Sequence, residues 1–297
     1  MTNIADFIKI QKKDIHNHLL LGMRYPSYVL WAGFYIPEVS EAENESISNH
    51  RQKIIDYTHM RITSKKDVQN LFALSIIEAL ADNVETLEGT VNINLAEKCG
   101  SPSEFALTIN SLLEKYSDQI TIKPVLGVNT DSETKFFLAE TFIERGLFHG
   151  LDIFGKDVIK NPEKYNNLLS FAKSYNLETK IHIEADSTPD EILKMLDVLF
   201  PSQIINADPL AKSDELLKFL SDNDLKVIIS PTRMGATDNS IEEKAKTLRV
   251  FCEKGIRSYI STGNILLHDK SISAFASDLC NTNIFSKDEM IEIITRA

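Results

Sequence analysis

Short apolar runs alternate along this chain with longer stretches whose apolar residues recur at helical spacing. The first pattern reads as buried strands and the second as amphipathic helices. The runs predict strands at Asp14–Leu21, Thr90–Leu95, Thr121–Val128, Gly150–Gly155, Thr179–Glu184, Gln203–Asn206, Leu225–Ser230 and Arg257–Thr262. Helical spacing predicts helices at Ser101–Tyr116, Lys135–Arg145, Pro162–Tyr175, Pro189–Leu199, Ser213–Leu220 and Ile241–Lys254. Two more follow the last strand, at Ser271–Leu279 and Lys287–Thr295, and a short amphipathic segment, Ile4–Ile10, precedes the first.

Residues 23–82 interrupt the alternation. They carry Trp31, Phe34 and Tyr35, an acidic run at Glu38–Glu45, and helical patterns at Ile54–Met60 and Val68–Leu80. This reads as a helical insertion over one face, its aromatic residues serving as core or lid packing, with substrate contact as the alternative.

Four helix starts carry their own signal. Ser101-Pro102-Ser103-Glu104, Thr188-Pro189-Asp190-Glu191, Ser240-Ile241-Glu242-Glu243 and Ser286-Lys287-Asp288-Glu289 all read as capping boxes. In such a box the hydroxyl covers the N3 amide and the glutamate reaches back to the cap amide. Pro102 and Pro189 stand at the first helical position, where a missing donor costs nothing. Eight strand units, each followed by a helix, predict an α/β fold, a (β/α)8 TIM barrel forming one domain over residues 1–297, with the helical insertion after strand 1. No Gly-x-Gly-x-x-Gly follows the first strand, which disfavours a doubly wound sheet.

The barrel reading gives the odd polar residues a common place. His16, His18, Asp152, His182, Glu184, Asn206 and Thr262 fall within or at the C-terminal ends of predicted strands, where this architecture builds its active sites. His16 and His18 are two apart and so share one face of a strand. Neutral imidazole is a favoured ligand for zinc, iron and nickel.

Composition narrows the classes. No apolar run is long enough to span a bilayer, so no membrane partner is expected. The start, Met1-Thr2-Asn3-Ile4-Ala5-Asp6, lacks a basic segment and a long apolar stretch, and a cytoplasmic protein is expected. Cys99, Cys252 and Cys280 are odd in number and widely spaced, as reduced thiols are. The net charge of -11 argues against a nucleic-acid partner, because phosphate binding needs a basic surface.

The pattern resembles the adenosine deaminase-like branch of the metal-dependent amidohydrolases over nearly the whole chain. The family's first-strand His-x-His matches His16 and His18. Its fourth-strand phrase matches Gly150-Leu151-Asp152-Ile153-Phe154-Gly155-Lys156-Asp157, its fifth-strand His-Ala-Gly-Glu matches His182-Ile183-Glu184-Ala185, and its seventh-strand phrase matches Ser230-Pro231-Thr232-Arg233. The resemblance implies Zn²⁺ held by three histidines and an aspartate, with hydrolytic attack on C6 of a purine. It also implies a glutamate that handles protons at the ring and a further histidine that orients the nucleophile.

This chain departs from that pattern at four places. The proton-handling glutamate falls on Ala185, the sixth-strand histidine on Ala207, the final Asp-Asp pair on Gly263-Asn264, and a sugar-contacting aspartate on Leu20. The residues left predict a metal site of His16, His18 and His182, with Glu184 as a fourth ligand or displaced general base. Gly155, Arg233 and Asn264 are the candidates for ligand contact. Asp186, Asp208 and Asp238 are loop carboxylates that could substitute, and Asp152 reads as an interior structural carboxylate. His268 reads as peripheral, and His50, His59 and His149 as surface or packing residues.

Two functions then compete. One is a deaminase-like protein with an eroded site that binds a small nucleoside- or purine-like ligand as a regulatory pseudoenzyme. The other is a metal-dependent hydrolase with a rebuilt site and a substrate other than adenosine. A three-histidine site should lose its metal as pH drops through about 6.5, the unperturbed imidazole value. Gly263→Asp should strengthen that site by restoring a carboxylate.

Overall fold

Eight parallel strands follow one another around a barrel in the order of the sequence. They are β1 (Lys12–His18), β2 (Val84–Asn92), β3 (Thr121–Asn129), β4 (Gly150–Phe154), β5 (Glu178–His182), β6 (Gln203–Ile205), β7 (Lys226–Ile229) and β8 (Ser258–Ile260). The computed structural model describes residues 2–33, 47–130, 135–184, 186–231 and 240–296. β1 and the segment after β8 meet at a parallel bridge between Asn17 and Gly263. There the Gly263 N–H donates to the His16 carbonyl at 2.9 Å, and the His18 N–H donates to the Gly263 carbonyl at 2.8 Å. The expected (β/α)8 TIM barrel is therefore present.

Burial on both faces explains why these strands read as nearly continuous apolar runs. Neighbouring residues point to opposite faces of a strand. Ile204 joins the large core between sheet and helices, while Ile205 joins Ile15, Ile228 and Tyr259 in a small cluster of its own. That small cluster fills part of the barrel interior. Elsewhere the interior is charged. The fully buried Lys180 donates to Glu88 at 2.7 Å and to the carbonyl of Ile15.

The pairing of β1 with β2 slips between Asp14, opposite Leu87, and Asn17, opposite Gly89. Three steps on β1 therefore match two on β2. Such a bulge re-aims side chains locally, and here Ile15 and His16, though adjacent, both reach interior neighbours.

The capping reading holds for Thr188, Ser240 and Ser286, where hydroxyl and glutamate cap reciprocally. Ser101 makes only the forward half, because the Glu104 carboxylate turns to Lys65 at 2.8 Å. An N-cap of this kind contributes roughly 0.5–2 kcal/mol.

The insertion contains helices at Tyr25–Ala32, Ile47–Arg61 and Lys65–Ala81. The periodicity did not mark the first, although Pro26 near its start and the left-handed Gly33 at its end are the usual punctuation. Most strand ends shift by one to a few residues from expectation, and two of the shifts have a clear cause or consequence. β2 begins at Val84, since the polar Glu85 and Glu88 hid its first half. β5 ends at His182, so Glu184 lies beyond the strand. Phe34, Tyr35 and the acidic run Glu38–Glu45 lie outside the described residues. Among the described residues no helix is long and apolar enough to cross a membrane.

Candidate metal centre and ligand pocket

β1 delivers His16 and His18 to the C-terminal mouth of the barrel, and β5 delivers His182. The rings of His16 and His18 lie 4.8 Å apart between centroids, those of His16 and His182 4.9 Å, and those of His18 and His182 5.6 Å. Phe154 stands edge-on to His18 at 5.5 Å and walls one side.

A fourth group joins them. Asp152, fully buried in the middle of β4, places Oδ1 2.9 Å from His182 Nε2 and Oδ2 3.7 Å from His16 Nδ1. One potential ligand atom from each of His16, His18, His182 and Asp152 lies within 4.8 Å of the others. Asp152 is interior, as expected, and it also sits among the histidines. The signal was a carboxylate inside the otherwise apolar run Gly150-Leu151-Asp152-Ile153-Phe154.

Electrostatics keep the cluster ready for coordination. Burial pushes His18 down to about 4 and His16 well below its ordinary value, although the Asp152 charge opposes both shifts. Burial would raise the Asp152 carboxyl, but the facing His182, then His16 and His18, hold it well below the usual carboxylate range. Neutral imidazole and ionised carboxylate are the forms a metal takes.

The residues fit a divalent transition metal on the chemistry of their donors. His16 Nδ1, His182 Nε2 and Asp152 Oδ1 are buried atoms without a hydrogen-bond partner. Buried polar atoms of that kind are rare in folded proteins. His182 Nε2 and Asp152 Oδ1 are close, yet not aligned as donor and acceptor.

Above the cluster opens a cavity of about 290 Å³. Its wall includes Asn92, Asn129, Asn206, Asn264, Glu184, Ser230, Gly155 and Gly263. The helix Ile47–Arg61 adds Gln52, Ile55 and His59 from one face. His59 is therefore a pocket residue and not mere packing.

Glu184 lines the cavity, but from the loop after β5 and not from a strand face shared with His182. Gly155 and Asn264 line it as well, whereas Arg233 lies outside the described residues. At the end of β6 the pocket residue is Asn206, with a left-handed φ of 58°, while Ala207 is fully buried.

Of the loop carboxylates, Asp186 pairs with Lys156 at 2.9 Å on the surface. Asp208 pairs with Lys244 at 3.3 Å in the interior, away from the pocket wall. Asp238 and Ala185 lie outside the described residues. His268 Nε2 lies 2.8 Å from the Thr262 carbonyl. Cys99, Cys252 and Cys280 are free thiols.

No family model matches the chain. A protein of Treponema pallidum (strain Nichols) named "Putative adenosine/adenine deaminase" is 24% identical over 280 residues, covering 93% of each chain. The chain is thus similar along most of its length to a protein named as an adenosine/adenine deaminase. Solved structures share its fold. Arabidopsis ADAL complexed with GMP aligns with a TM-score of 0.77 at 17% identity, covering 97% of this chain and 91% of that one. An amidohydrolase from Burkholderia ambifaria with bound Zn aligns with a TM-score of 0.67 at 14% identity, covering 98% and 90%. Within this chain, Gly263 carries no side chain toward the cluster and instead closes the barrel.

Proposed function

We propose that this protein is a metal-dependent hydrolase of the deaminase type, acting on a small aminated purine-like molecule other than adenosine. The observation that carries the reading is the convergence of His16, His18 and His182 on the cavity, with the buried Asp152 among them. A divalent metal such as Zn²⁺, held by the three histidines with a carboxylate, would supply Lewis acidity at the reacting centre. The Zn-bearing and GMP-bearing proteins of the same fold support a metal and a purine-sized ligand.

The chain's own residues do the rest. Glu184, on the wall beside His182, is the candidate for accepting and returning a proton. The carboxamides of Asn92, Asn129 and Asn264 offer both donors and acceptors to a heterocycle. Phe154 and Ile55 give apolar surface for a flat ring. Leu20 and Gly263 stand where the family pattern has carboxylates, which disfavours adenosine itself.

The same departures favour a second reading, a ligand-binding regulatory pseudoenzyme, in which the cavity binds without turnover. Two measurements separate them. Purified protein is assayed for bound metal, and ammonia release is followed with adenine, adenosine and their nucleotides. The hydrolase reading expects about one metal per chain and chelator-sensitive turnover, with adenosine a poor substrate by roughly 10²–10⁴-fold, the scale of lost acid-base assistance. Absence of metal and of any ammonia would leave the binding reading.

A further inference from the structure

We infer that Asp152 is the anionic ligand of this centre and that Thr90, leaning across β3 at Gly127, is the positioning residue that orients it. The inference rests on the metal-dependent reading above and says which carboxylate completes the site.

The two oxygens of Asp152 have different surroundings. Oδ2 accepts a hydrogen bond from Thr90 Oγ1 at 2.8 Å. Oδ1 is buried without a hydrogen-bond partner and faces His182. A ligating carboxylate whose second oxygen is held by a hydroxyl has that arrangement, since outer partners fix the orientation of ligands.

Thr90 belongs to β2 and Asp152 to β4, so the bond must cross β3. The residue beneath the crossing is Gly127, in register with Asp152. A Cβ on Gly127 would lie 2.7 Å from Thr90 Cγ2 and 3.2 Å from Phe154 Cε1. Glycine here is needed for close approach, so three strands share one construction.

Other carboxylates are committed elsewhere. Asp14, buried in β1, accepts from Thr262 N at 3.2 Å, from Thr262 Oγ1, and from Asn17 Nδ2 at 3.3 Å, all at the β1–β8 seam. Asp208 pairs with Lys244. Among the described residues, Asp152 Oδ1 is the carboxylate oxygen that is both buried and without a hydrogen bond. Charge argues the same way. Three neutral imidazoles bring no negative charge, and a dication in a buried site needs compensation.

The test is a Zn²⁺ titration of metal-stripped protein against a chromophoric chelator, with Co²⁺ visible spectra in parallel. Outer-partner changes typically cost 10–100-fold in metal affinity. Thr90→Val should therefore weaken binding about 10-fold or more and alter the Co²⁺ spectrum, and Thr90→Ser should restore both. Asp152→Asn should weaken it at least about 100-fold, and Gly127→Ala should resemble Thr90→Val. Glu184→Gln should stay within about 3-fold of the wild type, since it leaves every donor of the cluster in place.

If the wild type takes up no metal, the metal-dependent reading itself fails. If the wild type binds and both Asp152→Asn and Thr90→Val stay within about 3-fold, only the present inference is overturned. Should Asp152→Asn not fold, the Thr90→Val and Thr90→Ser pair decides alone, unchanged affinity and spectrum in Thr90→Val overturning the inference.

Discussion

Gly263 hands its backbone N–H to the carbonyl of His16 and so ties the last strand region to the first at a residue of the histidine cluster. Its φ is +64°, the left-handed region, and an added Cβ would stand 3.3 Å from Ser230 Oγ. The position therefore serves closure of the barrel.

This reverses the expectation that Gly263→Asp would strengthen a metal site. A side chain here meets left-handed strain of about 1–2 kcal/mol and must displace Ser230, whose hydroxyl bonds Ser261 at 2.9 Å. Gly263→Asp and Gly263→Ala should both lower unfolding stability by about 1–3 kcal/mol, and Gly263→Asp should leave Zn²⁺ affinity equal or weaker. Denaturant unfolding and metal titration check this, and a tighter-binding, equally stable Gly263→Asp protein would contradict it.

Acid should destabilise the metal-free protein. The folded state holds His18 at about 4 and His16 well below 6.5, so the unfolded chain binds more protons as pH falls. Their contribution is fully present above about 6.5 and is lost as pH falls toward about 4. Asp14 acts in the opposite sense. Burial raises it to about 6, so its contribution is present below its ordinary 3.8 and is lost as pH rises through about 6. Two histidines against one carboxyl leave a net loss on acidification. Unfolding midpoints between pH 7 and pH 4, with the His18 ring followed by NMR, measure it. The same depression moves proton competition for a bound metal below the pH 6.5 of an ordinary imidazole.

Gln52 and His59 should matter to ligands and not to metal. Both reach the cavity from the inserted helix. Gln52→Ala and His59→Ala should each weaken binding of a purine-like ligand by about 3–10-fold, the net worth of one hydrogen bond. Metal content and Co²⁺ spectrum should not change. Isothermal titration on metal-loaded protein reads the affinity, and equal affinity in both variants would remove that helix from recognition.

Local pattern and site geometry separate clearly in this chain. Strand and helix types, three reciprocal caps and the inward pair His16 and His18 follow from periodicity and cap chemistry, because those depend on residues a few positions apart. The strand that His182 ends was legible on the same grounds, though Glu184 fell outside it because an end depends on pairing with β6. The surroundings of Asp152 were legible only in part. Its partner Thr90 is 62 residues away, and the two meet only because β3 offers a glycine at the crossing. His59 was hidden likewise, since nothing near it in the chain says that its helix lies over the barrel mouth. The sequence by itself determined the elements and most of the faces their side chains take. The tertiary structure decided which distant faces converge, because strand register, the slip in β1 and closure at Gly263 are settled only when the strands pair.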